Sequence, residues 1–131
     1  MKKAAVLMLS VICLIAIFAV SAVSAGEDKI AVASQGKTDT AKVSAVAARS
    51  PYFLFFDTGG KFLEAVANPH KDAGGNASAL VTDFLSARGV TDVIAGDFGG
   101  KMTDALTKKG ITYAEIKGMS VADAVKRYRM K

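Results

Sequence analysis

Hydrophobic positions divide the chain into two regimes. Residues 4–26 carry no charged side chain and are rich in Ala, Val, Leu and Ile. After Glu27 the apolar residues come in short runs and stripes, broken by Gly, Asn, Asp and Pro. That is the pattern of a domain alternating strands and helices. Residues 29–33 (Lys-Ile-Ala-Val-Ala), closed by Ser34-Gln35-Gly36, read as a strand buried on both faces. Residues 35–50 have no clear period and many small polar side chains, so they read as a long loop. Pro51 precedes Tyr52-Phe53-Leu54-Phe55-Phe56-Asp57, a strongly β-prone run. Thr58-Gly59-Gly60 is turn chemistry and residues 61–66 are the partner strand, so residues 52–67 are expected to form a hairpin. Asn68-Pro69 ends it.

Residues 70–76 read as a loop. Ala77, Leu80, Val81 and Phe84 then fall at i, i+3, i+4 and i+7, which predicts an amphipathic helix stopped by Arg88-Gly89. Asp92-Val93-Ile94-Ala95 predicts a buried strand that runs into Gly96-Asp97-Phe98-Gly99-Gly100. A second helix is expected from near Lys101, with Met102, Ala105 and Leu106 inward and Gly110 as its stop. Residues 111–116 read as a strand. Ser120 and Asp123 have the spacing of an Asp variant of the capping box, ahead of a helix whose inward stripe is Val121, Val125 and Tyr128. The order β, β-hairpin, α, β, α, β, α makes the chain α/β. Its later alternation implies right-handed crossovers and parallel strands, and the hairpin makes the sheet mixed.

Composition narrows the chemistry. The chain has 131 residues, 51% of them hydrophobic, which suits one folded domain rather than a disordered polymer. One Cys and one His exclude a disulfide framework and a Cys-rich zinc or iron–sulfur site built from this chain alone. The net charge is +5, with no basic stripe. The one cluster, residues 126–131, suits the C-terminal end of a helix better than nucleic acid.

Met1-Lys2-Lys3, the uncharged run and Val23-Ser24-Ala25 form the pattern of an export signal cleaved after Ala25. The expected location is then the periplasm. The alternative is a membrane anchor over residues 4–25, whose 22 residues are long enough to span a bilayer. Cys13 lies inside this run behind Ile12, where a lipidation motif needs a small residue. Cleavage leaves residues 26–131 as one cysteine-free domain with neither a thiolate nucleophile nor a thiolate ligand.

No catalytic set stands out. Asp57, Asp92 and Asp97 converge on a magnesium site only if one sheet edge gathers them; turns and caps also use such residues. The two glycine-rich loops are more informative. Gly74-Gly75-Asn76 opens one helix, and Gly96-Asp97-Phe98-Gly99-Gly100 links a strand to the next. Helix N-terminal N–H groups flanked by glycines suit an anion. Only the second of these loops follows a strand expected to be parallel, at the edge where open α/β sheets bind ligands. Arg49 and Lys101 are candidates for charge-assisted contacts. His70 is a loop residue that supplies one donor to a metal site. Asn76-Ala77-Ser78 matches a glycosylation sequon at a helix start.

Residues 29–34, Val43-Ser44, residues 49–54, Asn68-Pro69, Gly74-Gly75, Gly89-Val90, residues 92–96, Phe98-Gly99, Lys101, Gly110-Ile111 and residues 120–124 follow one another in an order and spacing that resemble the dinitrogenase iron–molybdenum cofactor biosynthesis family. The resemblance spans residues 29–127. That family includes nitrogenase cofactor carriers and a small orange protein holding a molybdenum–copper sulfide cluster. The resemblance implies a ribonuclease H-like fold, a five-stranded mixed sheet with helices on both faces. It also implies noncovalent binding of an anionic molybdenum- or iron-containing sulfide cluster and a protein partner for cluster transfer. By position, the implied contacts are Ser44, Arg49, Ser50, Gly74, Gly75, Gly96, Phe98, Gly99 and Lys101. Many relatives carry His-Phe-Gly-Arg in the first loop; here the stretch is Val46-Ala47-Ala48-Arg49, and His70 is the chain's single imidazole.

The expected function is therefore an exported, non-catalytic cluster carrier. Its competitors are a cluster-free protein-interaction module on the same fold, and a nuclease-like hydrolase that requires the three aspartates to meet.

Overall fold

The computed structural model describes residues 28–130. The expected export signal, residues 1–25 with Cys13, lies outside the described residues. Among the described residues no helix is long and apolar enough to cross a membrane.

Five strands and three helices follow the expected order. They are β1 (Lys29–Ser34), β2 (Tyr52–Asp57), β3 (Phe62–Ala67), α1 (Ala77–Ala87), β4 (Val90–Ala95), α2 (Gly100–Lys108), β5 (Thr112–Glu115) and α3 (Val121–Arg129). The strands form one mixed sheet in the order β3-β2-β1-β4-β5. β1 runs parallel to β4, and β4 parallel to β5. β2 runs antiparallel to both β1 and β3. It is the one reversed strand, so β3 points the same way as β1, β4 and β5. β4 starts two residues before the expected Asp92, because Val90 already pairs with Lys29.

Alternation along the central strands sorts the core into two layers. Ala31, Ala33, Phe53, Phe55, Val93 and Ala95 face α1 and α2, meeting Val81, Leu85, Met102 and Leu106. Ile30, Val32, Leu54, Phe56 and Ile94 face α3, meeting Val121, Ala124 and Val125. Each side chain of Phe or Leu size buried in this way stabilises the fold by about 1.5–3 kcal/mol. Small alanines in β1 let the large β2 aromatics lie close against the helices.

Helix ends follow the sequence signals. Gly89 and Gly110 have φ of +79° and +72°, the left-handed conformation that stops α1 and α2. The Ser120 hydroxyl accepts from Asp123 N at 3.2 Å, the serine half of the expected capping box.

Candidate functional site

Ser34 ends β1 opposite Tyr52, and Tyr52 lies opposite Ala67, the last residue of β3. Ala95 and Glu115 end β4 and β5 side by side. The carboxyl ends of four strands therefore share one edge. All three helices start there. The loop before α1 (residues 68–76) was expected to stand apart from the parallel strands. It joins them because the hairpin reverses the chain twice.

The long segment of residues 35–51 lies across this edge and is hydrogen-bonded to all three strand–helix loops. Val43 N donates to Met119 O, Val121 N to Ala41 O and Ala122 N to Asp39 O, which ties down the loop before α3. Gly96 N donates to Ser44 O at 2.9 Å and Ala47 N to Asp97 O at 3.0 Å, which ties down the loop before α2. The third tie is to the loop before α1. Asn68 N donates to Pro51 O, and the buried Asn68 side chain donates to Ala48 O at 3.0 Å. The Arg49 guanidinium donates to three carbonyls, Lys71 O at 3.0 Å, Gly74 O at 3.3 Å and Ala73 O.

The three helix starts differ as anion sites. At α3 the first N–H groups are already held by Ala41 O, Asp39 O and the Ser120 hydroxyl. At α2 the Asp97 carboxylate accepts from Gly99 N at 3.3 Å. Asp97 titrates below the usual carboxylate value, held down by hydrogen bonds from the Gly99 and then the Phe98 main chain, one from the Glu115 side chain, and the charge of Lys117; burial opposes weakly. A negative charge of the chain itself thus occupies the Phe98–Gly99 donors. At α1 the N-cap Asn76 makes no side-chain capping bond, and the exposed Gly74 and Gly75 border open space. Neither glycine has a positive φ, so the fold gives no steric reason for glycine at either position.

The expected contacts separate accordingly. Arg49, Gly74 and Gly75 meet at one corner, between the first loop and α1, while the ring of His70 in the same loop lies further along the helix, against its eighth residue. The His70 imidazole lies edge-on to Phe84 with centroids 6.4 Å apart, and His70 N donates to Asn68 Oδ1. Ser50 lies beneath and is fully buried. Its hydroxyl accepts from Ser34 N and reaches Ser34 O and Tyr52 O, so it secures the ends of β1 and β2. Ser44 is buried, with its main chain committed to Ala33 and Gly96. Gly96 is a glycine because a Cβ would stand 3.0 Å from the Ala45 backbone, and its N–H is already bonded. Phe98 is a core ring against Tyr113, with centroids 5.2 Å apart. Gly99, with φ +75°, makes the turn into α2. Lys101 is exposed and lines a groove of about 420 Å³ between α1 and α2 with Ala79, Asp83 and Asp104. Four of the expected contacts, Ser44, Ser50, Gly96 and Phe98, thus sit in the scaffold under the edge.

One residue of the edge was not singled out in the sequence: Asn68 bridges the two loops, and its signal is Asn-Pro directly after a strand. Asp97 takes the turn role weighed for it against a metal site, its carboxylate accepting from Gly99 N. The three aspartates do not converge. Asp57 pairs with Lys29 at the far edge, and Asp92 accepts from the Tyr128 hydroxyl on the α3 side. Asp97 follows β4 at the near edge, so a six-residue strand, roughly 17 Å, separates it from Asp57. Among the described residues no group of three or more His, Cys, Asp or Glu is placed to hold a metal ion.

A family model described as dinitrogenase iron–molybdenum cofactor matches residues 28–131. The chain belongs to that family. A search of curated protein sequences gives no match. Among solved structures, the apo form of the orange protein from Desulfovibrio gigas aligns with a TM-score of 0.72 at 25% identity, over 76% of this chain and 85% of the other. A Thermotoga structure described as NifB-like, of the DUF35 family, aligns with a TM-score of 0.68 at 29% identity, over 78% of this chain and 87% of the other. Membership in the dinitrogenase cofactor family gives the chain a cofactor-binding or carrier character.

A cargo cluster in this chain would meet no thiolate among the described residues. It would meet main-chain N–H groups with a guanidinium bonded beside them. That set fits a preassembled anionic cluster held from outside, and it fits at the α1 corner rather than at α2, where Asp97 already stands.

Proposed function

We propose that this chain is a carrier for an anionic molybdenum- or iron-containing sulfide cluster, a molybdenum–copper sulfide included, held noncovalently at the α1 corner of the sheet edge. The observation that carries the reading is the open Gly74–Gly75 turn at the uncapped start of α1, with Arg49 bonded beside it, in a chain of this family. Helix-start N–H groups, held in place by a side chain bonded behind them, stabilise an anion without supplying a covalent ligand. His70, the one imidazole of the chain and part of the same loop, is the candidate direct metal contact. The strand order with a single reversed strand supports a ribonuclease H-like fold; the hydrolase reading loses its motive once the aspartates stand apart. In this reading the domain, residues 26–131, works after export to the periplasm or tethered by residues 4–25, and it hands its cluster to a protein partner rather than transforming it.

The test is loading. Purified protein is incubated with tetrathiomolybdate plus copper or iron and desalted, and bound metal is measured with the visible spectrum. Stoichiometric metal with a charge-transfer band is expected. Colourless, metal-free protein under every loading condition transfers the assignment to the cluster-free interaction module. N-terminal sequencing of protein from the periplasmic fraction tests export, with Gly26 as the expected first residue.

A further inference from the structure

We infer that Arg49 is a positioning residue, which acts on the cargo through the main chain of residues 71–75 rather than as a point charge. The inference rests on the carrier reading above. Three of its guanidinium contacts go to carbonyl oxygens of one loop, Lys71 O, Ala73 O and Gly74 O. A cation sent to meet an anion would keep its donors toward the ligand; this one turns at least two nitrogens onto its own chain.

Peptide geometry converts that grip into an orientation. The chain has no cis bonds among the described residues, so the C=O and N–H of each peptide unit point in opposite directions. Drawing Ala73 O and Gly74 O onto Arg49 sends the N–H groups of Gly74 and Gly75 the other way. Both glycines are exposed, with nothing within 4 Å of where a Cβ would stand. Two adjacent donors are thus aimed outward with their direction fixed by a side chain behind them. The guanidinium is suited to this because its planar fork reaches several acceptors at once, which an ammonium on a flexible stem does not.

The rest of the lashing is consistent. Asn68 joins the same two segments independently through Ala48 O and Pro51 O. Removing Arg49 therefore leaves residues 71–75 only local bonds, Ala73 N to His70 O and Ala77 N to Gly74 O, without opening the hairpin. Arg49 is exposed, so its replacement leaves both core layers intact.

Arg49→Lys separates position from charge. Two measurements are made on wild type, Arg49→Lys and Arg49→Ala. The first is the backbone 15N order parameter of residues 71–75 in protein without cargo. The wild type is expected near the rigid value of about 0.85, with both variants falling below about 0.6. The second is retention of molybdenum after loading with tetrathiomolybdate plus copper(I). Both variants are expected to weaken retention alike, by roughly ten- to hundredfold, as for other outer-shell partners of metal sites. Wild-type retention by Arg49→Lys overturns the inference, because charge alone then suffices. So does an ordered 71–75 loop in Arg49→Ala. If the wild type itself holds no metal, the carrier reading falls, and the order parameters alone decide whether Arg49 sets the loop.

Discussion

Glycines at this edge do two different jobs, and alanine distinguishes them. At Gly96 a Cβ would stand 3.0 Å from both the Cα and the carbonyl oxygen of Ala45. Backbone cannot swing aside as a side chain does, so Gly96→Ala is expected to cost about 1–3 kcal/mol, the usual range for overpacking, read as a lowered urea midpoint. At Gly74 the same methyl meets open space. Gly74→Ala is expected to leave the urea midpoint within about 0.5 kcal/mol, the range of neutral surface changes, while weakening metal retention. Tyr128 offers a second check on single side chains. Its hydroxyl donates to Asp92 Oδ2 at 2.5 Å, and burial, then that carboxylate, push its pKa up to about 12. The folded value lies above the unfolded value of about 10. The stabilisation is therefore complete below pH ~10 and is lost as the pH rises through ~12. Phenolate absorbance in an alkaline titration is expected to show one late tyrosine, absent in Tyr128→Phe.

Elements were legible in proportion to how local their causes are. The α3 start rests on Ser120 and Asp123 three residues apart, and the structure has the serine bond. Ser120→Ala is expected to cost about 1 kcal/mol in thermal or urea unfolding. The hairpin rested on a β-prone run, Thr-Gly-Gly and a second run, and both strands formed. Residues 35–50 were read as a loop, and they form one. Their hydrogen bonds to Met119, Asp97 and Asn68 join positions far apart in sequence and leave no periodic trace. For the same reason Arg49 was legible as a cation of the site, while its partners, the carbonyls of residues 71–74, were not. Ser50 and Ser44 entered by position, through the resemblance, and a position in the sequence does not disclose that both side chains lie buried under the sheet edge.

At the scale of the whole molecule, the segment 35–51 makes one unit of the carboxyl edge of the sheet. It holds the loop before each helix, so loosening one loop loads the other two through shared main-chain bonds. The amides of Val43, Ala47, Gly96 and Val121 all donate across this junction. In native-state hydrogen exchange they are expected to open together, with similar free energies, as one cooperative group. Exchange rates scattered over orders of magnitude among these four amides would show instead that each loop is held separately. Rigidity of this kind keeps a preformed donor set in place, and a carrier that adds no covalent ligand depends on it.

The lone reversed strand has a consequence that is a matter of parity. A chain leaving β1 at the carboxyl edge returns to that edge after any even number of reversals, and β2 with β3 supply two. The turn at residues 58–60 can therefore lengthen or shorten without moving the Gly74 corner. Losing a single strand would deliver that corner to the opposite end of the molecule, with every side chain unchanged.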